Sequence, residues 1–372
     1  MNEELKEEII NFSKSIGIDR IGFASADPFL TLKERLKTQQ QLGYDSGFEE
    51  PDIDKRTNPE LLLPYAKSII SIALSYPSKL KNPPKGVKGN RRGLFCRASW
   101  GEDYHTVLND RLERLQAFIK ERVPEAKTAS MVDTGALSDR AVAERAGIGW
   151  TGKNCMVITH EYGSYVYLGE MITTLAFEPD TPVEDGCGTC NKCVDSCPTG
   201  ALIQGGQLDS QKCIAFLTQK KDMIPKRYRK KIGNRLYGCD TCQVVCPINK
   251  GKGDHYQPEF EPEPEKVKPE LLPLLSMSNR EFKETYGMMA GSWRGKKPIQ
   301  RNAVIALGHF KEEGASPKLR DLLQNDPRPV IRGTAAWSLG EINGSENLEA
   351  LRLASLHEED DEVQKEIEEA LQ

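Results

Sequence analysis

At 372 residues, 38% of them apolar and with a formal net charge of −4, the chain is long enough for two or three domains with real cores. No apolar run reaches membrane-spanning length, and the opening MNEELKEEIINFSKS reads as an acidic amphipathic helix, not an export signal. A cytoplasmic protein with no membrane partner is therefore expected, and its ten cysteines argue for metal ligands over disulfides.

Leu5, Ile9, Ile10 and Phe12 have helical spacing, and IDRIGFA (18–24) follows as a strand. SIISIALSY (68–76) is an apolar, β-rich run too short for a long helix. Residues 103–123 place Val107, Leu112, Leu115, Phe118 and Ile119 on one helical face. TASMVDTG (128–135) is a strand ending in a polar turn, and residues 155–173 suggest a hairpin turning near Gly163. Together these elements predict an α/β domain over 1–180. Residues 181–250 hold the cysteine cluster, and 251–270, rich in Pro and Glu, are expected to be an extended linker. From 271 the chain turns helical. Leu307–Gly308 recurs as Leu339–Gly340, Ala303 as Ala335, Ile299 as Ile331 and Leu319 as Leu351, whereas Leu323 meets Ser355. The shared offset predicts an all-α, HEAT-like repeat domain over 271–372, so the fold class is multidomain α+β.

Cys187, Cys190, Cys193 and Cys197, followed by Pro198, have the spacing of bacterial ferredoxins, in which three thiolates hold one cluster and the fourth reaches the other. Cys239, Cys242 and Cys246 precede Pro247, and Cys213 stands between the two runs. By that logic Cys187, Cys190, Cys193 and Cys246 hold one [4Fe–4S] cluster, and Cys197, Cys213, Cys239 and Cys242 hold the second. Zinc is the alternative, because Cys-x-x-Cys pairs bind it too, but three close cysteines plus a fourth before Pro fit clusters better. Two clusters imply electron transfer. Embedding them in so large a chain implies that the acceptor binds to the chain itself and that an external electron donor feeds it.

Three polar stretches punctuate the first domain. FCRASWGEDYH (95–105) precedes a helix that Asp103 would cap; VDTGALSDR (132–140) puts Asp133 at a strand end; GIGWTGKNC (147–155) suits close approach of backbone to a bulky ligand. His160, read as lying in a strand, and His309 look structural, and Cys96 and Cys155 look like ordinary buried residues.

Taken together, DYH, VDTG, GWTGKN, the two cysteine runs and RNAVIALG resemble the epoxyqueuosine reductases, cobalamin-dependent iron–sulfur enzymes of tRNA modification related to reductive dehalogenases. The resemblance runs in order over nearly the whole chain. Ala136 departs from it where Pro is expected, and Cys155 where Thr is commoner; neither is a charged position. It implies a corrinoid over the first domain, contacted by Arg56, Cys96, Asn154, Val157, Leu168, Ala215, Thr241 and Cys242. Asp103-Tyr104-His105 begins the Asp-x-His-x-x-Gly pattern of histidine-ligated cobalt, but Leu108 replaces its glycine, so a base-off cobalamin without a protein histidine is expected. The resemblance makes Asp133 the proton donor, a role that needs a raised pKa in a dry pocket, and Asp103, Tyr104 and His105 the residues that position the modified base.

The implied partner is a tRNA anticodon stem-loop carrying epoxyqueuosine. Eight Lys or Arg lie between Lys220 and Arg235 against one acid, and a second basic group opens the helical region. Lys220, Lys221, Arg280, Lys283, Arg294, Lys296, Lys297 and Arg301 are thus expected to grip phosphates. A ferredoxin-like electron shuttle and a dehalogenase-type corrinoid reductase are the competing readings. The first leaves the basic stretches unexplained, and the basic repeat region counts against the second.

Overall fold

The computed structural model describes residues 2–372, which form two compact units. The first takes the chain up to Lys79, Gly101–Cys213 and Asp240–Glu261; the second takes Leu80–Trp100, Ile214–Cys239 and Pro262–Gln372. Among the described residues no helix is long and apolar enough to cross a membrane.

The first unit is built on a four-stranded antiparallel sheet in the order Arg20–Ser25, Ser68–Ser75, Val166–Thr173, Thr128–Met131. Ser68–Ser75 is buried along its whole length because both faces of the sheet are covered. On one face Ile69, Ala73 and Ile172 share a core with Val142, Ala143 and Ala146, which belong to the helix Asp139–Arg145 or directly follow it. On the other face lies the helix Tyr104–Arg122, whose buried side is Val107, Leu108, Leu112, Leu115 and Ile119. Gly169 is the point of closest approach there: a Cβ would stand 3.1 Å from Leu108 and 3.3 Å from Leu112. The helix Asn2–Ser15 adds to this layer, with Phe12 stacked on Phe118 at 4.1 Å.

Two local expectations are corrected. Residues 155–173 do not fold as one hairpin. Val157–Ile158 pairs with Trp150–Thr151, and only the isolated Thr159–Gly163 bridge closes the turn before Val166–Thr173 joins the main sheet. His160 consequently sits exposed in that turn, against Trp150, and not in a strand. Residues 251–270 are not an extended linker either. Pro258 and Pro264 each open a short helical turn, where a missing N–H costs nothing, and Phe260 and Val267 are buried.

The second unit is helical. Lys296–His309, Ser316–Asn325, Pro329–Ile342, Ser345–Ser355 and Asp361–Ala370 pack over one apolar core. The repeated glycines are where these helices touch. A Cβ on Gly308 would stand 2.7 Å from the Ser338 hydroxyl, and one on Gly340 would stand 2.9 Å from the Ala370 Cβ. Leu80–Trp100 and Ile214–Cys239 join this unit because Leu94–Phe95 pairs in parallel with Arg235–Tyr237, and Phe95 stacks on Tyr286.

Candidate functional site

The cysteine motifs fold as short helical turns, Lys192–Asp195 and Thr241–Val244, each preceded by a tight loop that lets neighbouring sulfurs converge. Cys187, Cys190, Cys193 and Cys246 line a single cavity, together with Asn154, Ile158, Pro247 and Ile248. Cys246 lies in the second motif by sequence and in the first set by position. Burial, reinforced by the neighbouring thiols, pushes the Cys193 and Cys246 thiols up. Four mutually repelling thiols facing one cavity are the donor set that a cationic metal centre needs, and they fit a cluster. Lys153 serves this loop: its Nζ donates to the Gly188 carbonyl at 2.7 Å and to Asn191 Oδ1 at 3.1 Å. Cys197, Cys213 and Cys242 lie in the same unit, while Cys239 ends the segment given to the helical unit. The Cys197 sulfur accepts from the Ala201 amide at 3.3 Å. Against the upward push of burial, the amides of Leu202, Thr199 and Ala201 and the Thr199 hydroxyl hold that thiol below its usual range.

A second group of polar residues gathers at the start of the Tyr104–Arg122 helix. Asp103 caps the helix by accepting from the His105 amide at 3.0 Å, and the same Oδ1 lies 2.8 Å from His105 Nδ1. Tyr104 stacks on Tyr167 with ring centroids 4.6 Å apart and donates its hydroxyl to Asp133 Oδ2 at 2.9 Å. His105 Nε2 stands 3.5 Å from the same Asp133 oxygen. Asp133 itself is in the left-handed region, at φ 51°, just past the end of its strand, and its N–H donates to Asp139 Oδ2 at 2.8 Å. Holding a non-glycine residue there requires its surroundings to impose the conformation, a common property of functional loops.

The electrostatics of Tyr104, His105 and Asp133 decide where the proton rests. Burial alone would lower the His105 pKa, but its bond to Asp103 and the nearby Asp133 carboxylate outweigh it and raise it to about 9. The Asp133 carboxyl, whose side chain is 61% exposed, is held below the usual carboxylate range, first by His105 and then by Tyr104. At neutral pH the proton therefore resides on His105, and Asp133 in the open site lacks the raised pKa that the donor role needs.

The other expected contacts are scattered. Asn154 is buried; its Oδ1 accepts from the Met156 amide, and its Nδ2 has no protein partner. Val157 is buried in the same core that Leu168 borders, and Arg56 is half-buried in the helix Ile53–Thr57. Thr241 opens the second cysteine helix, with Cys242 next to it. Cys96 and Ala215 belong to the helical unit, where Cys96 packs on Gly238. Cys155 is an ordinary buried cysteine, as expected. The glycines of GIGWTGKN serve the chain itself. A Cβ on Gly149 would stand 2.2 Å from the Ile158 carbonyl, and one on Gly152 would stand 2.4 Å from the Ile158 side chain.

Of the basic residues, Lys221, Arg280 and Lys283 are exposed, and Lys220, Arg294, Lys296 and Lys297 are half-buried. Arg301 must be struck from the phosphate-gripping set. It is fully buried, and its guanidinium donates to the carbonyls of Leu217, Thr218, Lys220 and Asp222, so it is a structural strut. Sequence reasoning missed Tyr167, Asp139 and Glu170. The signal for Glu170 was a lone acid inside the apolar strand run YVYLGEMIT.

The paired cysteine motifs, the Tyr104–His105–Asp133 trio and the helical repeat define an iron–sulfur redox enzyme with a helical-repeat appendage. Family models agree in order along the chain: epoxyqueuosine reductase QueG, DUF1730, over 56–134; a 4Fe-4S double cluster binding domain over 186–249; and HEAT repeats over 294–372. The epoxyqueuosine reductase of Bacillus cereus is 66% identical over 370 residues, 100% of this chain and 97% of that protein, and the one from Bacillus subtilis is 61% identical over 369 residues, 99% and 96% respectively. The chain belongs to the epoxyqueuosine reductase family. A solved epoxyqueuosine reductase bound to an epoxyqueuosine-modified tyrosine-tRNA stem loop superposes with a TM-score of 0.98 at 61% identity, covering 100% of this chain and 99% of that one. A Bacillus subtilis structure, at 60% identity, TM-score 0.98 and the same coverage, has its catalytic aspartate loop swung out of the active site.

Proposed function

We propose that the chain reduces epoxyqueuosine to queuosine at the tRNA wobble position, and that the Tyr104–His105–Asp133 trio supplies the proton the epoxide oxygen needs. The reaction consumes two electrons and two protons: both C–O bonds of the epoxide break, a C=C bond forms, and the oxygen leaves as water. An unprotonated oxygen is a poor leaving group, so an acid must stand beside it. The observation carrying this reading is the convergence of Tyr104 and His105 on one Asp133 oxygen. The aspartate loop of the Bacillus subtilis relative supports it.

The proton follows from the electrostatics. With the site open, it sits on His105. A nucleotide seated over Asp133 strips water from that exposed carboxylate, and desolvation raises a carboxyl pKa. The proton then passes from His105 to Asp133 and on to the epoxide oxygen. The wobble nucleotide is already single-stranded, so presenting it costs little.

The residues also fit a corrinoid in base-off form. Its amide-rimmed ring needs donors and apolar walls; the buried, unpartnered Asn154 Nδ2 offers a donor, and Val157 and Leu168 offer apolar surface. Arg56, Cys96, Ala215, Thr241 and Cys242 complete the proposed contacts. Such a group, when bound, supplies a low-potential metal centre for the two electrons, which an external donor delivers through the clusters. In this reading Cys197, Cys213, Cys239 and Cys242 hold the second cluster. Lys220, Lys221, Arg280, Lys283, Arg294, Lys296 and Lys297 grip the tRNA backbone, and the protein works in the cytoplasm.

Two results are expected. Initial rates should hold through neutral pH and fall as the pH rises through about 9, where His105 loses its proton; in His105→Asn that alkaline limb should disappear. Affinity for the stem-loop should weaken steeply with salt, and Lys221→Gln with Lys283→Gln should reduce the slope of log Kd against log salt by about 2, roughly one for each phosphate no longer neutralised. An unchanged slope removes those two lysines from the interface.

A further inference from the structure

Behind the Asp133 loop lies a buried acid that the reaction does not use. Glu170 sits on the Val166–Thr173 strand, opposite Ser71 on one neighbouring strand and Met131 on the other, and is fully buried. It faces the same side of the sheet as Ile69 and Ala73, toward the helix that Asp139 opens. Neither Glu170 oxygen meets a donor within the protein, and the Ser71 hydroxyl beside it is likewise unpartnered. Asp139 is within bonding reach of Glu170 and, on its other side, accepts the Asp133 N–H. Two carboxylates have only acceptors to offer each other; a single proton between them turns repulsion into a charge-assisted hydrogen bond.

We propose that Glu170 and Asp139 share one proton, Glu170 as neutral donor and Asp139 as anchored anion, and that this pair positions Asp133 by gripping its backbone N–H. The inference rests on reading Asp133 as the proton-delivering residue. It gives the left-handed Asp133 backbone a fixed charged partner and a buried acid a purpose. Burial, then the neighbouring Asp139, raises Glu170 well above the usual carboxylate range; burial, against the bond from Glu170, raises Asp139 to about 6. The charged groups facing the pair are Asp133, with His105 beyond it, and Arg56, which stands near Asp139 alongside Arg140. Asp139 and Glu170 are positioning residues here, since neither touches the epoxide.

The sign of the linkage is fixed. A carboxyl whose folded pKa is raised contributes stability that is full below its unfolded value and lost as pH rises through the folded one. The test compares cluster-loaded wild type, Glu170→Gln and Glu170→Leu. Glutamine imitates the protonated acid, so the Tm of Glu170→Gln should gain on wild type steadily as pH rises from about 5 to 8. Its kcat should stay within about threefold of wild type, whereas Glu170→Leu, which keeps burial but removes the donor, should lose about tenfold or more in kcat with stem-loop Kd unchanged. Parallel Tm curves for wild type and Glu170→Gln overturn the shared proton. A Glu170→Gln enzyme as inactive as Glu170→Leu overturns the donor role. If wild type itself leaves epoxyqueuosine intact, the proposed reaction falls, while the Tm comparison still decides whether the proton is shared.

Discussion

Replacing Asp133 with asparagine is expected to abolish epoxide reduction almost completely while leaving both clusters in place. Asparagine keeps an oxygen to accept from the Tyr104 hydroxyl, which now bonds Asp133 at 2.9 Å, and it differs little in size. What disappears is the oxygen proposed to carry the proton to the epoxide. The anionic partner that helps raise His105 to about 9 disappears with it. General acid catalysis of this kind contributes about 10²–10⁴-fold, and the turnover of Asp133→Asn should fall by that factor. Iron content, corrinoid uptake and stem-loop affinity should match wild type, because the side chain is 61% exposed and supports no core. Single-turnover conversion measured by nucleoside analysis is the check, and full turnover in the variant would remove Asp133 from the chemistry.

Cys246→Ser should cost the protein its first cluster although Cys246 belongs, by sequence, to the second motif. It lines the same cavity as Cys187, Cys190 and Cys193. A serine oxygen is a harder and less polarisable ligand than a thiolate, which iron–sulfur clusters require. Iron and acid-labile sulfide should fall toward half of the wild-type content, and reduction should stop because the internal electron path is broken. Full iron content in that variant would overturn the crossing of the two motifs.

How much of this was legible in the sequence depends on the range of the interactions involved. The cysteine spacing, the amphipathic helix Tyr104–Arg122 and the 32-residue offset of Leu307–Gly308 and Leu339–Gly340 are local patterns, and each returned as structure. The offset glycines even proved to be where the helices touch. Asp133 and its neighbours were visible as polar residues at strand and helix ends, but their protonation was not. That depends on His105 lying beside Asp133, residues that are 28 apart in the chain, and it leaves the resting proton on His105. The failures share this cause. Arg301 reads as one more surface cation, yet it is buried on carbonyls about eighty residues away. Pro-rich 251–270 reads as linker because composition does not reveal that Phe260 and Val267 are buried. Glu170 broke the apolar pattern of its strand, and a partner on another element was needed to say why.

The most direct test is anaerobic incubation of the cluster-loaded, corrinoid-supplied protein with epoxyqueuosine-containing tRNA and a strong low-potential reductant, followed by mass analysis of the released nucleosides. Epoxyqueuosine should give way to a nucleoside lighter by one oxygen atom, and omitting either corrinoid or reductant should prevent the change. Epoxyqueuosine left intact by the complete mixture would contradict the proposed reaction.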